Sequence, residues 1–224
     1  MKTILLIETS LILGEVAIYH NGELKRAAFT ENADHTRMLI PNLDRLLTEL
    51  KLDFDDIDVI FVNRGPGSHT GVRVGLTTAR TLAYKTDKIV LGVSALEILA
   101  LKAVKTLNLT EKYKVLIPTV YCRQGELYCQ KFNTSAEQLG PPCIVNSETL
   151  LKELEQNPEV YAFGQAAIKE LNVENAPFET DTEFLHQRGL QIIAQQPDTL
   201  DFEDTLAPLY LRPPLATPPK KKSV

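Results

Sequence analysis

With 224 residues, 44% hydrophobic and 24% charged, the chain has the composition of a globular protein with room for one large domain or two small ones, and disorder is excluded as its default state. A formal net charge of -5 argues against free-standing nucleic-acid binding through a basic face, so any contact with nucleic acid is expected to run through a partner. The apolar run between Lys2 and Glu8 is too short for the core of a signal peptide or for a membrane span, which makes the cytoplasm the expected compartment.

Residues 3–7 form an unbroken apolar run that predicts a strand buried on both faces. Residues 14–19 and 24–29 predict two more, joined by Asn21-Gly22, the strongest short hairpin signal. Between the first two strands stand Glu8, Thr9 and Ser10, an acid and two hydroxyls of the kind that meets a phosphate or a metal; the plainer reading is a polar turn that satisfies its own backbone. Residues 34–50 place Leu39, Leu43, Leu46, Leu47 and Leu50 on one helical face, with Pro41 marking a kink or a start just before it. His35 has Leu39 where a second helical metal ligand would stand, so no metal site is expected there.

Residues 59–62 suit a buried strand, and a loop with Gly65, Pro66, Gly67 and Gly71 follows it. The loop leads into a helix with Val72, Leu76, Ala79 and Ala83 on one face and Ser68 or Thr70 as its cap. Neither common phosphate loop fits. A P-loop needs lysine where Val72 stands; the dinucleotide fingerprint needs G-x-G-x-x-G, whereas Gly65, Gly67 and Gly71 are spaced one residue too far, with Leu91 where its acid belongs. On pattern alone the loop is a tight strand-to-helix turn. Along the helix, Gly75, Ala79 and Ala83 make a four-spaced row of small side chains that would let another helix or a sheet approach closely. Arg73, Thr77, Arg80 and Tyr84 line the opposite face with residue types favoured at interface hot spots, although an exposed polar helix face is the ordinary alternative.

Residues 89–93 predict a strand, and Ser94 begins a helix in which Glu97 completes a capping box and Leu96, Leu99, Ala100 and Ala103 form the buried face. Three strands followed by helix, strand, helix, strand and helix imply a mixed sheet covered by helices. The second half repeats this plan in shortened form. Strands are expected at 114–120 and 126–132 around a turn at Arg123-Gln124-Gly125, and a short one at 143–145. A helix capped by Ser147 runs to about Gln156, and a strand at 160–163 ends in Gly164-Gln165. Residues 182–196 are a helix candidate despite Gly189, and 208–212 a tether with the potential to pair with a sheet edge. The divisions expected are an N-terminal domain at 1–107, a smaller C-terminal domain at 108–212 and a mobile tail at 213–224, whose Lys220 to Lys222 read as solvated. Cys122, Cys129 and Cys143, odd in number and without C-x-x-C, read as buried or half-buried thiols ahead of a metal site or redox centre.

Four stretches, ILLIETS, NRGPGSHTGVRVGLTTARTLAY, YCRQGELYC and APLYLRPP, resemble the TsaB (YeaZ) family, subunits needed for threonylcarbamoyl modification of tRNA adenosine, over nearly the whole chain. The second stretch is the most specific, with GPGS-x-TG-x-R-x-G followed by a helix and then GVSALE. The resemblance implies an α/β fold of the actin, Hsp70 and sugar-kinase type, built from duplicated βββαβα units with mixed sheets covered by helices and a truncated second half. It implies a non-catalytic scaffold that binds TsaD, the subunit transferring the threonylcarbamoyl group to tRNAs reading A-starting codons, and that helps recruit the ATPase TsaE. A homodimer through the same helices is the other pairing implied; tRNA is reached only via the complex, and no membrane is involved. The pairing surface carried over from the family comprises Arg73, Thr77, Arg80, Tyr84, Gly75 and Ala79 on one helix, with Arg37 and Met38 on the preceding one.

No catalytic residue, metal or cofactor is expected. TsaD-type proteins carry a helical H-x-x-x-H pair, and here His35 is followed by Leu39. Glu8 replaces the family's usual aspartate in the first turn, followed by Leu11-Ile12-Leu13, and Tyr121 replaces the aspartate before the second turn. Glu8, Thr9 and Ser10 are then a vestigial phosphate turn, leaving room only for weak nucleotide binding at the interdomain cleft or a partner interface. The alternative is an enzyme in its own right, an ATP-dependent phosphotransferase or a peptidase. Tyr121 counts against the first, and the lack of an oriented third group beside Ser68 and His69 against the second.

Overall fold

The computed structural model describes residues 2–29, 35–84, 88–107, 109, 112–171, 173, 179–195 and 205–211. The first half contributes β1 (Ile4–Glu8), β2 (Gly14–His20), β3 (Glu23–Phe29), α1 (His35–Leu50), β4 (Val59–Asn63), α2 (His69–Tyr84), β5 (Ile89–Val93) and α3 (Ala95–Thr106). The second contributes β6 (Val115–Arg123), β7 (Glu126–Cys129), β8 (Phe132–Asn133), β9 (Cys143–Asn146), α4 (Ser147–Gln156), β10 (Val160–Phe163), α5 (Gln165–Leu171) and α6 (Thr182–Gln195).

Two five-stranded mixed sheets result. The first runs β3-β2-β1-β4-β5, and the second β10-β6-β7-β9 with β8 also paired to β6. In the first, β1, β2 and β3 are antiparallel neighbours, while β4 lies parallel to β1 and β5 parallel to β4. Asn21 and Gly22 turn the β2–β3 hairpin with φ of 51° and 90°, the double positive φ that an Asn-Gly pair supplies. The second sheet repeats the pairing. Its β9, β7, β6 and β10 stand in the order of β3, β2, β1 and β4, with β6 parallel to β10 and antiparallel to β7. Among the described residues it has no counterpart of β5 and α3 in that series, in keeping with the shortened second half expected of this α/β fold.

Burial follows from connection type. Both β1 and β4 are buried along their whole length, because helices cover the two faces of the first sheet. Leu39, Leu43 and Leu46 of α1 and Val72, Leu76, Ala79 and Ala83 of α2 pack on one face with Leu5, Ile7, Ile60 and Val62. On the other face, Leu6, Phe61 and Leu91 meet Leu96, Leu99 and Ala103 of α3 and Leu185 of α6, in a core that continues to Leu116, Phe132 and Phe163 of the second sheet. This dual packing buries Ala95 to Leu101 all round, more than the single face predicted.

Four local expectations need correction. Ser94 does cap α3 through Leu96 N, but the capping box does not close, since the Glu97 carboxylate turns to Arg188 and Gln138. Asn146, not Ser147, caps α4 by accepting from Glu148 N. The helix α5 was not anticipated, and its seven residues are too few to show a helical period. Of the 208–212 tether, the described residues 208–211 do not pair as a strand: Leu209 N donates to Arg64 O, and Leu206 just before them enters the α1/α2 core. Helix α6 lies in the second half by position yet packs on β1, β4 and β5 of the first sheet. Gly189 permits that approach, because a Cβ there would come 2.4 Å from the Phe61 ring. The expected tail 213–224 lies outside the described residues.

Candidate functional site

The polar turn Glu8, Thr9 and Ser10 and the glycine-rich loop converge at the ends of β1 and β4. Parallel pairing sets Glu8 beside Asn63, whose Nδ2 donates to Glu8 Oε2. Glu8 Oε1 accepts from Ser10 N at 2.7 Å and from Ser10 Oγ at 2.8 Å. Asn63 Oδ1 accepts from Gly65 N, which carries the same network into the glycine-rich loop.

That loop lies directly on the turn. Ser68 N donates to Ser10 O at 2.7 Å, and Thr9 Oγ1 donates to Gly71 O at 2.7 Å. A Cβ at Gly67 would come 2.2 Å from Ser10 O, and one at Gly71 only 1.9 Å from Thr9 O. Gly65 has φ +91° and joins the buried Pro66 through a cis bond. The glycines therefore bring backbone against backbone. Glu8, Thr9 and Ser10 are each 0% exposed, and their polar atoms bond within the chain. Ser68 is the cap of α2, accepting from Gly71 N, while Thr70 takes no part in it. His69 does not pair with Ser68; its ring stacks on Tyr210 at 4.7 Å between centroids.

Burial pushes the Glu8 carboxyl above its ordinary 4.5, against the pull of the Asn63 and Ser10 bonds. The proton is held more tightly in the folded state than in the unfolded one. The resulting stabilisation is present below 4.5 and is lost as pH rises through the folded value. Thermal melts of wild type and Glu8→Gln across that range are expected to diverge, the wild type losing ground as pH rises. Parallel curves would overturn this account of Glu8.

In the second half, Tyr121 is exposed with Lys169 Nζ 4.4 Å above its ring, and Gly125 N donates to Glu170 Oε2 at 3.2 Å. The pairing of β6 with β7 shifts register between Tyr121 and Arg123. A cation thus sits over the aromatic face of Tyr121.

On α2, Arg73, Thr77, Arg80 and Tyr84 form an exposed stripe, and Tyr84 is 94% exposed. Arg37 and Met38, in the first turn of α1, are exposed too, and Ile40 beside them adds apolar surface. Gly75 and Ala79 are not on this surface. They face the chain's own sheet: Ala79 is fully buried, and a Cβ at Gly75 would lie 2.5 Å from Thr9 Oγ1 and 3.4 Å from Val62. The small-residue row seats α2 on the turn and on β4. Reading of the sequence missed that the stretch after Thr205 borders the stripe. Arg73 Nε donates to Tyr210 Oη at 3.1 Å, and Arg80 Nη2 donates to Leu206 O at 3.4 Å. Only the apolar content of LAPLYL hinted at it.

Sequence reading also missed a buried ion pair between halves of the chain. Arg188 of α6 and Glu97 of α3 are each 9% exposed and meet at 3.3 Å, with Gln138 donating to the same carboxylate oxygen. They line a cavity of about 540 Å³ with Arg64, Gln191 and Thr205. Burial lowers the Arg64 pKa while Glu97 opposes the shift.

Residues 30–191 match the family model described as TsaD: tRNA N6-adenosine threonylcarbamoyltransferase. The chain is similar to the tRNA threonylcarbamoyladenosine biosynthesis protein TsaB of Haemophilus influenzae, 32% identical over 56% of this chain and 52% of that protein. Its likeness to the TsaB of Escherichia coli is 30% over 58% of this chain and 54% of the other. The chain thus spans little more than half the length of these curated relatives. A solved structure of YeaZ from Pseudomonas aeruginosa superposes with a TM-score of 0.73 at 23% identity, covering 94% of this chain and all of the other. A protein with similarity to peptidase YEAZ from the same organism gives 0.77 at 23% identity over 95% of this chain and 100% of the other. These two likenesses speak to the fold alone.

Proposed function

This chain belongs to the TsaD family and to the TsaB (YeaZ) proteins within it, and from that premise we propose that it is a non-catalytic subunit in the synthesis of threonylcarbamoyladenosine in tRNA. In this reading it docks on a TsaD catalytic subunit through the exposed stripe of α2 and the first turn of α1. It supports that subunit and helps recruit the ATPase TsaE. Transfer RNA is met through the complex, consistent with a net charge of -5. A homodimer would use the same face in the absence of TsaD. The reading places the chain in the cytoplasm; among the described residues no helix is long and apolar enough to cross a membrane.

One contrast supports this reading above all. The polar turn Glu8–Ser10 is sealed under the chain's own glycine loop, whereas Tyr84 of α2 is almost wholly exposed beside two arginines. Chemistry on a substrate needs groups a substrate can reach. Docking needs large side chains held on a rigid element and left uncovered, which α2 provides. The enzyme alternative gains no support from Ser68 and His69, one a helix cap and the other stacked on Tyr210.

The test is tRNA modification reconstituted from purified TsaD, TsaE and the enzyme that makes the threonylcarbamoyl donor, with and without this chain. Modification is expected to depend on its addition. A full rate without it would remove the scaffold reading, and transfer by this chain alone would remove its non-catalytic character. Equilibrium dialysis with ATP, on the chain alone and with TsaD, tests the weak nucleotide binding that the reading allows.

A further inference from the structure

Cys129 and Cys143 are 14 residues apart in the chain yet face each other across the antiparallel β7–β9 pair, with their Sγ atoms at 3.6 Å. Cys129 is buried and ends β7; Cys143 is exposed, contrary to the expectation of covered thiols, and begins β9 at the edge of the second sheet. Leu127 and Val145, two positions along, make the same cross-strand pairing beneath Leu150 and Leu154 of α4.

We propose that Cys129 and Cys143 form a cross-strand disulfide when the protein meets a hydroperoxide, making this pair a reversible oxidation site that clips the edge strand β9 to β7. This inference does not rest on the function proposed above.

Directly opposed residues on antiparallel strands have Cα separations of about 4.5 to 5.5 Å, within the range that a disulfide spans without moving the backbone. The loop between the two cysteines is already closed by other bonds. Gln130 Nε2 donates to Gly140 O at 2.8 Å, and Leu139 N donates to Lys131 O at 2.8 Å. Pro141 and Pro142 restrict the backbone leading into Cys143. The sulfurs therefore meet without the loop-closure search an unfolded chain must make.

Exposure assigns the roles. The Cys143 thiolate attacks the hydroperoxide, the O–O bond breaks, and an alcohol or water departs, leaving a sulfenic acid on Cys143. Cys129 then attacks that sulfur and displaces its hydroxyl, which leaves with the Cys129 proton as a second water. Two thiols lose two electrons and the hydroperoxide gains them. Burial and the neighbouring Cys143 push the Cys129 thiol up to about 12, which keeps it protonated and out of the first step. Once Cys143 is a sulfenic acid its negative charge no longer holds the Cys129 proton, and the sulfur already in contact attacks as that proton leaves with the hydroxyl. Cys122, half-buried on β6, has no thiol opposite it among the described residues.

The test treats the full chain with hydrogen peroxide, denatures it, alkylates it and maps peptides by mass spectrometry. Expected is the loss of two of the three alkylatable thiols, a Cys129–Cys143 linked peptide pair lighter by two hydrogens, and Cys122 still alkylated. Dithiothreitol should restore all three. Cys129→Ser should leave a sulfenic acid on Cys143 that dimedone traps, and the same oxidation begun in denaturant should lose the specificity for this pair. Cys129 and Cys143 both remaining alkylatable, a link through Cys122, or an intermolecular link through Cys143 would each overturn the proposal. The wild-type map decides the matter even if Cys129→Ser folds poorly.

Discussion

Gly71→Ala is expected to cost about 3 kcal/mol of folding stability, because overpacking against an immovable neighbour sits at the upper end of what an added methyl does. For a chain of this size that corresponds to a loss of about 10 °C in Tm, read from thermal melts by circular dichroism. The reason is the identity of the neighbour. The new Cβ would come 1.9 Å from the carbonyl oxygen of Thr9, which is backbone and cannot rotate aside as a side chain does. Either the start of α2 lifts or the turn moves, and both break the Thr9 Oγ1 bond to Gly71 O and the Ser68 N bond to Ser10 O. The same displacement opens the cover over Glu8. Gly140→Ala supplies the control, since nothing lies within 4 Å of a Cβ there, and should stay within about 0.5 kcal/mol of wild type. A Gly71→Ala protein that melts with the Gly140→Ala protein would sink the view that this loop is a packing element pressed onto the first turn.

The contrast between these glycines shows what local pattern can and cannot carry. Strand runs at β1 and β4, the Asn21-Gly22 turn and the leucine face of α1 are set by neighbours a few residues away, so period and turn chemistry predict them. The glycine loop was recognisable as a turn, and both nucleotide-loop spacings failed on it. That its glycines answer to Ser10 and Thr9 was not visible, because those contacts cross some sixty residues. Glu97 illustrates the same limit from the other side. Three residues after Ser94 it satisfies a capping-box pattern, but Arg188 lies 91 residues further on and is buried with it, and a charge in the interior takes a charged partner over a backbone amide. Gly75 and Ala79 mark a place where something comes close, and a helical period cannot say whether that neighbour is a partner or the chain's own sheet. At Tyr121 the Lys169 ammonium over its ring, 48 residues away along the chain, was not legible. The exposed stripe Arg73, Thr77, Arg80 and Tyr84 needed only α2's own geometry once one face was known to be buried. Its border with the 205–211 segment, more than a hundred residues further on, was beyond that geometry.

Reversing charge at both Arg73 and Arg80 is expected to weaken binding to the TsaD partner by about 30-fold, the equivalent of losing one interface hot spot of about 2 kcal/mol. Isothermal titration and size-exclusion chromatography of the mixed proteins read this directly, and an undisturbed complex would remove α2 as the docking element. Loss of binding alone leaves one ambiguity, because both arginines also hold the chain's own 205–211 segment: Arg73 through Tyr210 Oη, Arg80 through Leu206 O. A charge reversal loosens that segment as well as altering the surface. Two further variants separate the effects. Tyr210→Phe removes the hydroxyl and keeps the ring stacked on His69, so it isolates the internal bond and should leave partner binding within about twofold if the arginines act on the partner itself. Tyr84→Ala removes a side chain that is 94% exposed and should leave the melting temperature of the chain unchanged. Its expected cost is felt only in the complex, about tenfold in affinity. Should Tyr210→Phe reproduce the double reversal while Tyr84→Ala binds normally, the 205–211 segment would be the docking element and the stripe on α2 merely its support.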